Sequence, residues 1–192
     1  MSLSLRFDRA LILAADVHRQ QVRTGTSIPY IAHLMAVTAI VLEHGGSEDH
    51  AIAALLHDAV EDGGGPALLD RIRQEFGPRV AEIVSGCTDT EETPKPPWRA
   101  RKEAYLAHLP SVSDDTLLVS MADKLHNVRA IATDFATGGE SVWTRFNAGR
   151  DDILWYYRSL VNEFRKRTAG ALLDQLDAAV TGLEHAAGAR WV

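Results

Sequence analysis

The sequence predicts an all-α protein, and three observations support this prediction. Apolar residues recur at helical spacing along almost the whole chain, no stretch alternates apolar and polar residues as a half-buried strand does, and turn-forming residues fall between the apolar segments. With 192 residues, of which 46% are hydrophobic, the chain is long enough to bury a core of its own. We therefore expect one helical domain over residues 1–192.

Two of the predicted helices have clear start and stop signals. The second contains "PYIAHLMAVTAIVLEH", with Pro29 in its first turn and Gly45 at its exit, and Ser47 is a suitable N-cap for the third, which three glycines end after Asp62. The segment "TDTEETPKPPWR" is polar and proline-rich, so we expect an exposed connector there, with a cover over a site as the alternative. In chain order, helices are predicted over about residues 5–21, 29–44, 48–62, 67–76, 79–85, 100–109, 114–135 and 141–167, with a last amphipathic helix within 168–192.

Composition excludes several classes of function. The chain has 20 basic and 26 acidic residues, a net charge of −6, which argues against a nucleic-acid binder. The single cysteine, Cys87, rules out an intrachain disulfide and a site built from several thiolates. No apolar run approaches the roughly 20 residues needed to span a bilayer, and charges interrupt the N-terminal apolar stretch, unlike a signal peptide. The sequence thus predicts a cytoplasmic protein without a membrane partner.

Four polar residues follow the apolar run "AIAALL" on the predicted third helix. His57 and Glu61 are four residues apart, as are Asp58 and Asp62, so adjacent stripes of one helix face each carry a metal-ligand type of residue and an acid one turn later. Burying an unpaired carboxylate is costly, so the acids need a positive partner. The alternatives are a basic side chain at an ordinary helix end, or a metal ion held by His57 and Asp58.

Two further residues of ligand type interrupt apolar helix faces elsewhere. His33 lies in the first turn of the second helix, where the positive helix end favours the neutral imidazole that binds metal. Asp123 interrupts the apolar face of "LLVSMADKLHNV". Taken singly, they would be a core histidine and a salt-bridged acid. Together with His57 and Asp58 they predict one buried mononuclear site for Mn²⁺, Fe²⁺, Mg²⁺ or Zn²⁺, with positions left for water and substrate.

These residues also resemble a known family. His33, His57-Asp58 and Asp123 resemble the H…HD…D signature of the all-helical HD phosphohydrolases. The segments "HRQQVRTGTSIPYIAH", "AALLHDAVED", "ARKEAYL" and "MADKLHNVR", within about residues 7–165, resemble the hydrolase-domain motifs of RelA/SpoT homologues, especially the small stand-alone alarmone hydrolases of the metazoan SpoT-homologue type. The resemblance implies an Mn²⁺-dependent enzyme that removes the 3′-pyrophosphate of guanosine 3′,5′-bispyrophosphates.

The resemblance also implies roles for individual residues. Glu61 and Asp62 match the catalytic acids, one taking the proton of the attacking water and the other orienting it, a contribution of roughly 10²–10⁴ in rate. Five further residues match substrate contacts of the family. The alternative interpretation of these residues is solvated surface charge, or packing in the case of the tyrosine. Those residues are Arg23, Tyr30, Lys102, Lys124 and Asn127. Residues 63–65, all glycine, replace the family's usual threonine-type continuation, which puts the placement of the two acids in doubt.

Three other functions stay open on the sequence alone. The first is the same chemistry on another nucleotide, such as an adenosine alarmone, the 2′-phosphate of NADPH or a 5′-deoxynucleotide. The second is a nucleotide sensor without activity, although every acid and ligand that catalysis needs is present. The third is a structural module whose last helix binds a partner. We expect that helix instead to pack on its own domain or on a second copy in a homodimer.

Overall fold

The computed structural model describes residues 2–90 and 94–188. Within these ranges every regular element is a helix, and the only β contact is an isolated antiparallel bridge between Val22 and Pro29. The all-α prediction is confirmed. The α-helices are α1 (Leu5–Val17), α2 (Ile31–Glu43), α3 (Glu48–Leu56), α4 (Ala59–Gly63), α5 (Gly65–Phe76), α6 (Pro78–Cys87), α7 (Trp98–His108), α8 (Asp114–Gly138), α9 (Arg150–Arg165) and α10 (Ala171–Ala186).

The helices fall into two compact units, and the first comprises the described residues of Met1–Lys95 and Val112–Ala122. Its central element is α3, which packs against α1, α2 and α6. All residues from His50 to Leu56 are buried. This burial explains why the helix is apolar on every face after its polar first turn. The short helix α4 follows directly and packs against α1 and α5. Residues at the end of α3 and in α4 are thereby held on a rigid, close-packed base.

The predicted third helix is interrupted. Helix α3 ends at Leu56 and α4 begins at Ala59, with His57 and Asp58 between them. The prediction of one helix running to residue 62 is therefore wrong, because apolar spacing continues across the interruption and hides it. The two acids consequently lie in a five-residue helix, not at the C-terminal end of a long one. They therefore do not lie at the carbonyl end of a long helix, where negative charge is disfavoured.

Two of the three glycines after the acids have identifiable roles. A Cβ atom on Gly63 would lie 2.3 Å from Cγ1 of Val17, so glycine allows α4 to approach α1 closely. Gly65 has a φ of +54°, in the left-handed region that favours glycine. Gly63 therefore permits the close contact between α4 and α1, and Gly65 permits the left-handed backbone at the start of α5.

The second unit comprises the described residues of Pro96–Ser111 and Asp123–Val192. Helix α9 packs against α7 and α10. Arg158 on α9 binds Asp177 and the buried Glu184 on α10, an ion-pair network that joins the two helices. The last helix is amphipathic as expected, and its apolar face is buried through Leu172, Leu173, Leu176, Val180 and Leu183. Residues 189–192 of the predicted C-terminal segment lie outside the described residues.

Two other helix boundaries differ from prediction. The first helix ends at Val17, because His18 already leaves the helical conformation as its C-cap. The helix predicted from residue 141 begins at Arg150, and a 3₁₀ helix over Gly139–Arg145 precedes it. None of the helices described combines the length and the apolarity needed to cross a membrane.

Candidate metal centre

Three predicted metal ligands meet in the first unit. His33 lies in the first turn of α2, and His57 and Asp58 occupy the interruption between α3 and α4. One ligand atom from each lies within 4.8 Å of the others. Oδ2 of Asp58 is 3.1 Å from Nε2 of His57 and 3.7 Å from Nε2 of His33. The break in the helix thus places two consecutive side chains beside a third that is distant in sequence.

The hydrogen bond at the far side of the His57 ring fixes which nitrogen faces this group. Nδ1 of His57 lies 2.8 Å from the carbonyl oxygen of Ala54, which can only accept, so Nδ1 carries the proton. In the neutral ring Nε2 then presents its lone pair towards Asp58, as a metal ligand must. His33 and His57 are almost fully buried, with exposed fractions of 1% and 2%. Two imidazole nitrogens and a carboxylate within such a distance fit a hard or borderline divalent cation.

A tyrosine from the predicted substrate set supports this group. The hydroxyl of Tyr30 donates a hydrogen bond to Oδ2 of Asp58 at 2.5 Å. The guanidinium carbon of Arg23 lies 5.7 Å from the centre of the Tyr30 ring. The structure therefore places Tyr30 on a candidate ligand and Arg23 near Tyr30, and the contacts of both residues with substrate stay a prediction.

Asp123, the fourth predicted ligand, lies on α8 in the second unit. It is buried, with an exposed fraction of 6%, and accepts hydrogen bonds from Lys124 Nζ at 2.7 Å and from Asn127 Nδ2 at 2.5 Å. Burial alone would lower the pKa of Lys124, but the charge of Asp123, with Tyr156 and Tyr105, outweighs burial and raises that pKa well above its usual value. The metal role of Asp123 stays a prediction.

Three of the predicted substrate contacts lie in the second unit. Lys124 and Asn127 bind Asp123, as described, so each has a structural partner on a predicted metal ligand. Nζ of Lys102 on α7 lies 5.1 Å from the centre of the Tyr156 ring on α9. Their roles in substrate binding stay predictions.

The two predicted catalytic acids have a basic partner, which was one of the two alternatives left open by the sequence, but the sequence did not identify it as Lys95. Nζ of Lys95 lies 2.8 Å from Oε1 of Glu61 and 3.8 Å from Oδ1 of Asp62. The amide of Gln21 donates a hydrogen bond to Oδ2 of Asp62 at 2.8 Å. Lys95 belongs to the proline-rich segment that we expected to be a connector. The available signal was a single lysine in an acidic segment, and Lys95 does contact the acids.

Comparison of the sequence with those of known proteins identifies the family of this chain. The sequence model of the family described as the HD domain matches residues 10–154 of this chain. This chain belongs to the HD domain family. The predicted resemblance to RelA/SpoT hydrolase domains is confirmed by the relatives described next.

Two relatives with different lengths match the chain. Guanosine-3′,5′-bis(diphosphate) 3′-pyrophosphohydrolase MESH1 of Xenopus tropicalis is 41% identical over 130 residues, which are 64% of this chain and 70% of the frog protein. The bifunctional (p)ppGpp synthase/hydrolase SpoT of Escherichia coli is 34% identical over 134 residues, which are 67% of this chain and only 18% of that protein. The chain therefore spans most of the short relative and a small part of the long one.

Solved structures agree with this assignment. A structure described as a metazoan orthologue of SpoT that hydrolyses ppGpp has a TM-score of 0.78 and 27% identity, covering 94% of this chain and 97% of that one. The crystal structure of lmo0812 from Listeria monocytogenes has a TM-score of 0.69 and 27% identity, covering 81% of this chain and 99% of that one. The similarity to the first of these structures covers 94% of this chain.

Proposed function

We propose that this protein hydrolyses the 3′-pyrophosphate of guanosine 3′,5′-bispyrophosphate, releasing pyrophosphate and GDP, or GTP from the pentaphosphate. The observation that carries the proposal is the group of His33, His57 and Asp58 with two acids on the next short helix. This group occurs in a chain that is 41% identical to a protein named for that activity. The enzyme class is that of a metal-dependent phosphohydrolase.

The residues present divide into those that hold a cation and those that act on water. His33, His57 and Asp58 would hold a divalent cation, and we propose Asp123 as the fourth ligand and Mn²⁺ as the cation. Such a cation supplies Lewis acidity, which makes a water molecule more acidic and offsets phosphate charge. Tyr30 orients Asp58 by its hydrogen bond, so that the carboxylate keeps one position in the group.

Glu61 and Asp62 act on the attacking water. They lie three and four residues after Asp58, on a helix that packs against α1 and α5 and is therefore fixed relative to the ligands. One of these carboxylates accepts a proton from the water as it attacks the phosphorus atom, and the other orients the water. Lys95 contacts both acids, which keeps a positive charge beside the position that the pyrophosphate occupies.

The nucleotide itself would be bound by the remaining predicted contact residues. Arg23 and Tyr30 offer a cation and an aromatic face suited to a base, while Lys102 and Lys124 offer positive charge suited to the pyrophosphate. Asn127 is the fifth predicted contact. Action in the cytoplasm and association as a homodimer also stay proposals.

A nucleotide panel tests the proposed function against its alternatives. The purified chain with Mn²⁺ is offered guanosine bispyrophosphate, its adenosine counterpart, NADPH and a deoxynucleoside triphosphate, and the products are separated by ion-exchange chromatography. We expect pyrophosphate and GDP from the guanosine compound. Release of phosphate from NADPH, or of a nucleoside from the deoxynucleotide, in preference to this reaction would assign the site to another substrate. Tight binding without turnover of any nucleotide would indicate a sensor.

A further inference from the structure

His18 is a buried histidine next to the predicted site, and the mechanism above does not use it. Its exposed fraction is 3%, and its ring stacks on that of Tyr30 with 5.0 Å between the ring centres and an interplanar angle of 24°. Nδ1 of His18 lies 2.6 Å from Oε1 of Gln21. Its other nitrogen, Nε2, is buried and has no hydrogen-bond partner among the residues described. The hydrogen bond to Gln21 is therefore the polar contact that this ring is placed to make.

The hydrogen bonds of Gln21 determine where the protons lie. An ionised Asp62 can only accept, so the Gln21 atom facing it must be the amide nitrogen, which donates to Oδ2 at 2.8 Å. The carbonyl oxygen of the Gln21 side chain then faces His18, and this oxygen can only accept. Nδ1 of His18 therefore carries a proton and donates it. The series of donors runs in one direction, from His18 through Gln21 to Asp62.

Two backbone hydrogen bonds hold the main chain of Gln21 in place. Its N–H donates to the carbonyl of His18 at 3.0 Å, and its carbonyl accepts from the N–H of Tyr30 at 2.9 Å. With the main chain held, the remaining freedom of Gln21 is the rotation of its side chain and the flip of its amide. The hydrogen bond from His18 removes that freedom, because a flipped amide would set its NH₂ group against the Nδ1–H group and its oxygen against Asp62.

We propose that His18 is a positioning residue, which orients the amide of Gln21 and through it the carboxylate of Asp62. The proposal rests on the proposed function for the role of Asp62 in turnover, but the hydrogen-bond series itself does not. A carboxylate that accepts a fixed donor at Oδ2 keeps its other oxygen, Oδ1, in one direction. Positioning of this kind affects turnover more than binding, because the orientation of the water matters in the transition state.

Two substitutions of His18 separate its donor from its ring. His18→Phe keeps an aromatic ring to stack on Tyr30 and removes the donor. His18→Asn places an amide NH₂ at the position of Nδ1 and removes the ring. Gln21→Leu removes the intermediate group with little change in size. A double-mutant cycle of His18→Phe with Gln21→Leu then measures whether His18 acts through Gln21.

The expected kinetic result is a loss of kcat of about 10-fold in His18→Phe and in Gln21→Leu, with little change in KM, the loss expected for one orienting hydrogen bond. His18→Asn should retain most of the wild-type kcat even though its melting temperature falls with the lost stacking. In the Gln21→Leu background, His18→Phe should cost nothing further. Equal losses in Asn and Phe variants, additive losses in the cycle, or wild-type kcat in His18→Phe would each overturn the proposal.

A second readout needs no turnover. Nitrogen NMR of the wild-type protein should show a protonated Nδ1 in His18, and the side-chain amide protons of Gln21 should exchange slowly with solvent. That protection should persist in His18→Asn and disappear in His18→Phe. If the wild type releases no product from any nucleotide but the protection follows this order, the proposed function fails and the positioning holds. Equal protection of the Gln21 amide in the wild type, His18→Asn and His18→Phe would refute the positioning role of His18, whatever the activity. If His18→Phe does not fold, Gln21→Leu supplies the kinetic test.

Discussion

The ammonium group of Lys95 lies 2.8 Å from Oε1 of Glu61. Because the same ammonium also lies 3.8 Å from Asp62, both predicted catalytic acids share one basic partner from the proline-rich segment. A partly exposed pair of this kind contributes little to stability, typically under about 1 kcal/mol. The observed effect of the pair is to bring a positive charge to both acids.

The two acids should affect turnover and leave metal binding unchanged. In Glu61→Gln and Asp62→Asn we expect kcat to fall roughly 10²–10⁴-fold with little change in KM, because general base catalysis operates in the transition state. Steady-state kinetics and elemental analysis of the same preparations measure both properties. Glu75→Gln, which alters an exposed acid paired with Arg71, is the control and should retain full activity. Loss of the bound metal in either acid variant would make these residues ligands instead.

The metal site should contribute to thermal stability through Asp58. A cation that binds only the folded state raises the melting temperature by mass action, so added Mn²⁺ should stabilise the wild type. Asp58→Asn removes a charged ligand and should abolish both the bound metal and the Mn²⁺-dependent rise. Asp70→Asn, at an exposed residue paired with Arg73, should behave as the wild type. Equal metal content in wild type and Asp58→Asn would remove Asp58 from the site.

Gly63 should not tolerate a methyl group. Its Cβ would lie 2.3 Å from Cγ1 of Val17, so Gly63→Ala forces α4 away from α1 and should cost about 1–3 kcal/mol in the free energy of unfolding. Gly182→Ala on α10 is the matched control, since no heavy atom lies within 4 Å of its Cβ and alanine favours a helix by about 0.5–1 kcal/mol. Urea unfolding should therefore show opposite signs for the two variants. A stabilised Gly63→Ala protein would show that the approach of α4 to α1 is not close.

Asp115 should make stability depend on acid pH. The hydrogen bond from Arg79, opposed by partial burial and assisted by His50, lowers the pKa of Asp115 to about 2. A lowered folded-state pKa stabilises the protein above the unfolded pKa of about 4, and this stabilisation is lost as the pH falls towards 2. Asp115→Asn should thus lose about 1–2 kcal/mol at pH 7, after allowance for solvent screening, and nothing near pH 2. Denaturant unfolding across this range, with Asp16→Asn at an exposed pair as control, measures the difference. If Asp115→Asn lowers the free energy of unfolding equally at every pH, the loss comes from changed packing and not from the ionised carboxylate.

The sequence was sufficient for the fold class and for the three candidate ligands that the structure brings together. His57 and Asp58 follow a fully apolar run, and a charged group in that setting stands out locally. The interruption between α3 and α4 was not predictable from periodicity, because His57 and Asp58 leave the helix for only two residues and the apolar pattern resumes in phase.

The partners of the acids could not be predicted for a different reason. Lys95 lies 34 residues from Glu61 in sequence, and Gln21 lies 41 residues from Asp62. Both partners are in connecting segments, where polar residues are ordinary and no periodicity marks the ones that bind. Such contacts form only when the tertiary fold brings segments that are distant in sequence together, and a local sequence pattern does not specify which segments meet.

Phosphorus NMR of guanosine 3′,5′-bispyrophosphate during incubation with the purified protein and Mn²⁺ follows the proposed hydrolysis at each phosphorus atom. We predict that the resonances of the 3′-diphosphate disappear, that free pyrophosphate appears in equal amount and that the 5′-diphosphate stays intact, with no reaction after chelation of the metal or in Asp58→Asn. Release of inorganic phosphate, loss of the 5′-diphosphate, or an unchanged substrate in the presence of metal-loaded protein would contradict it.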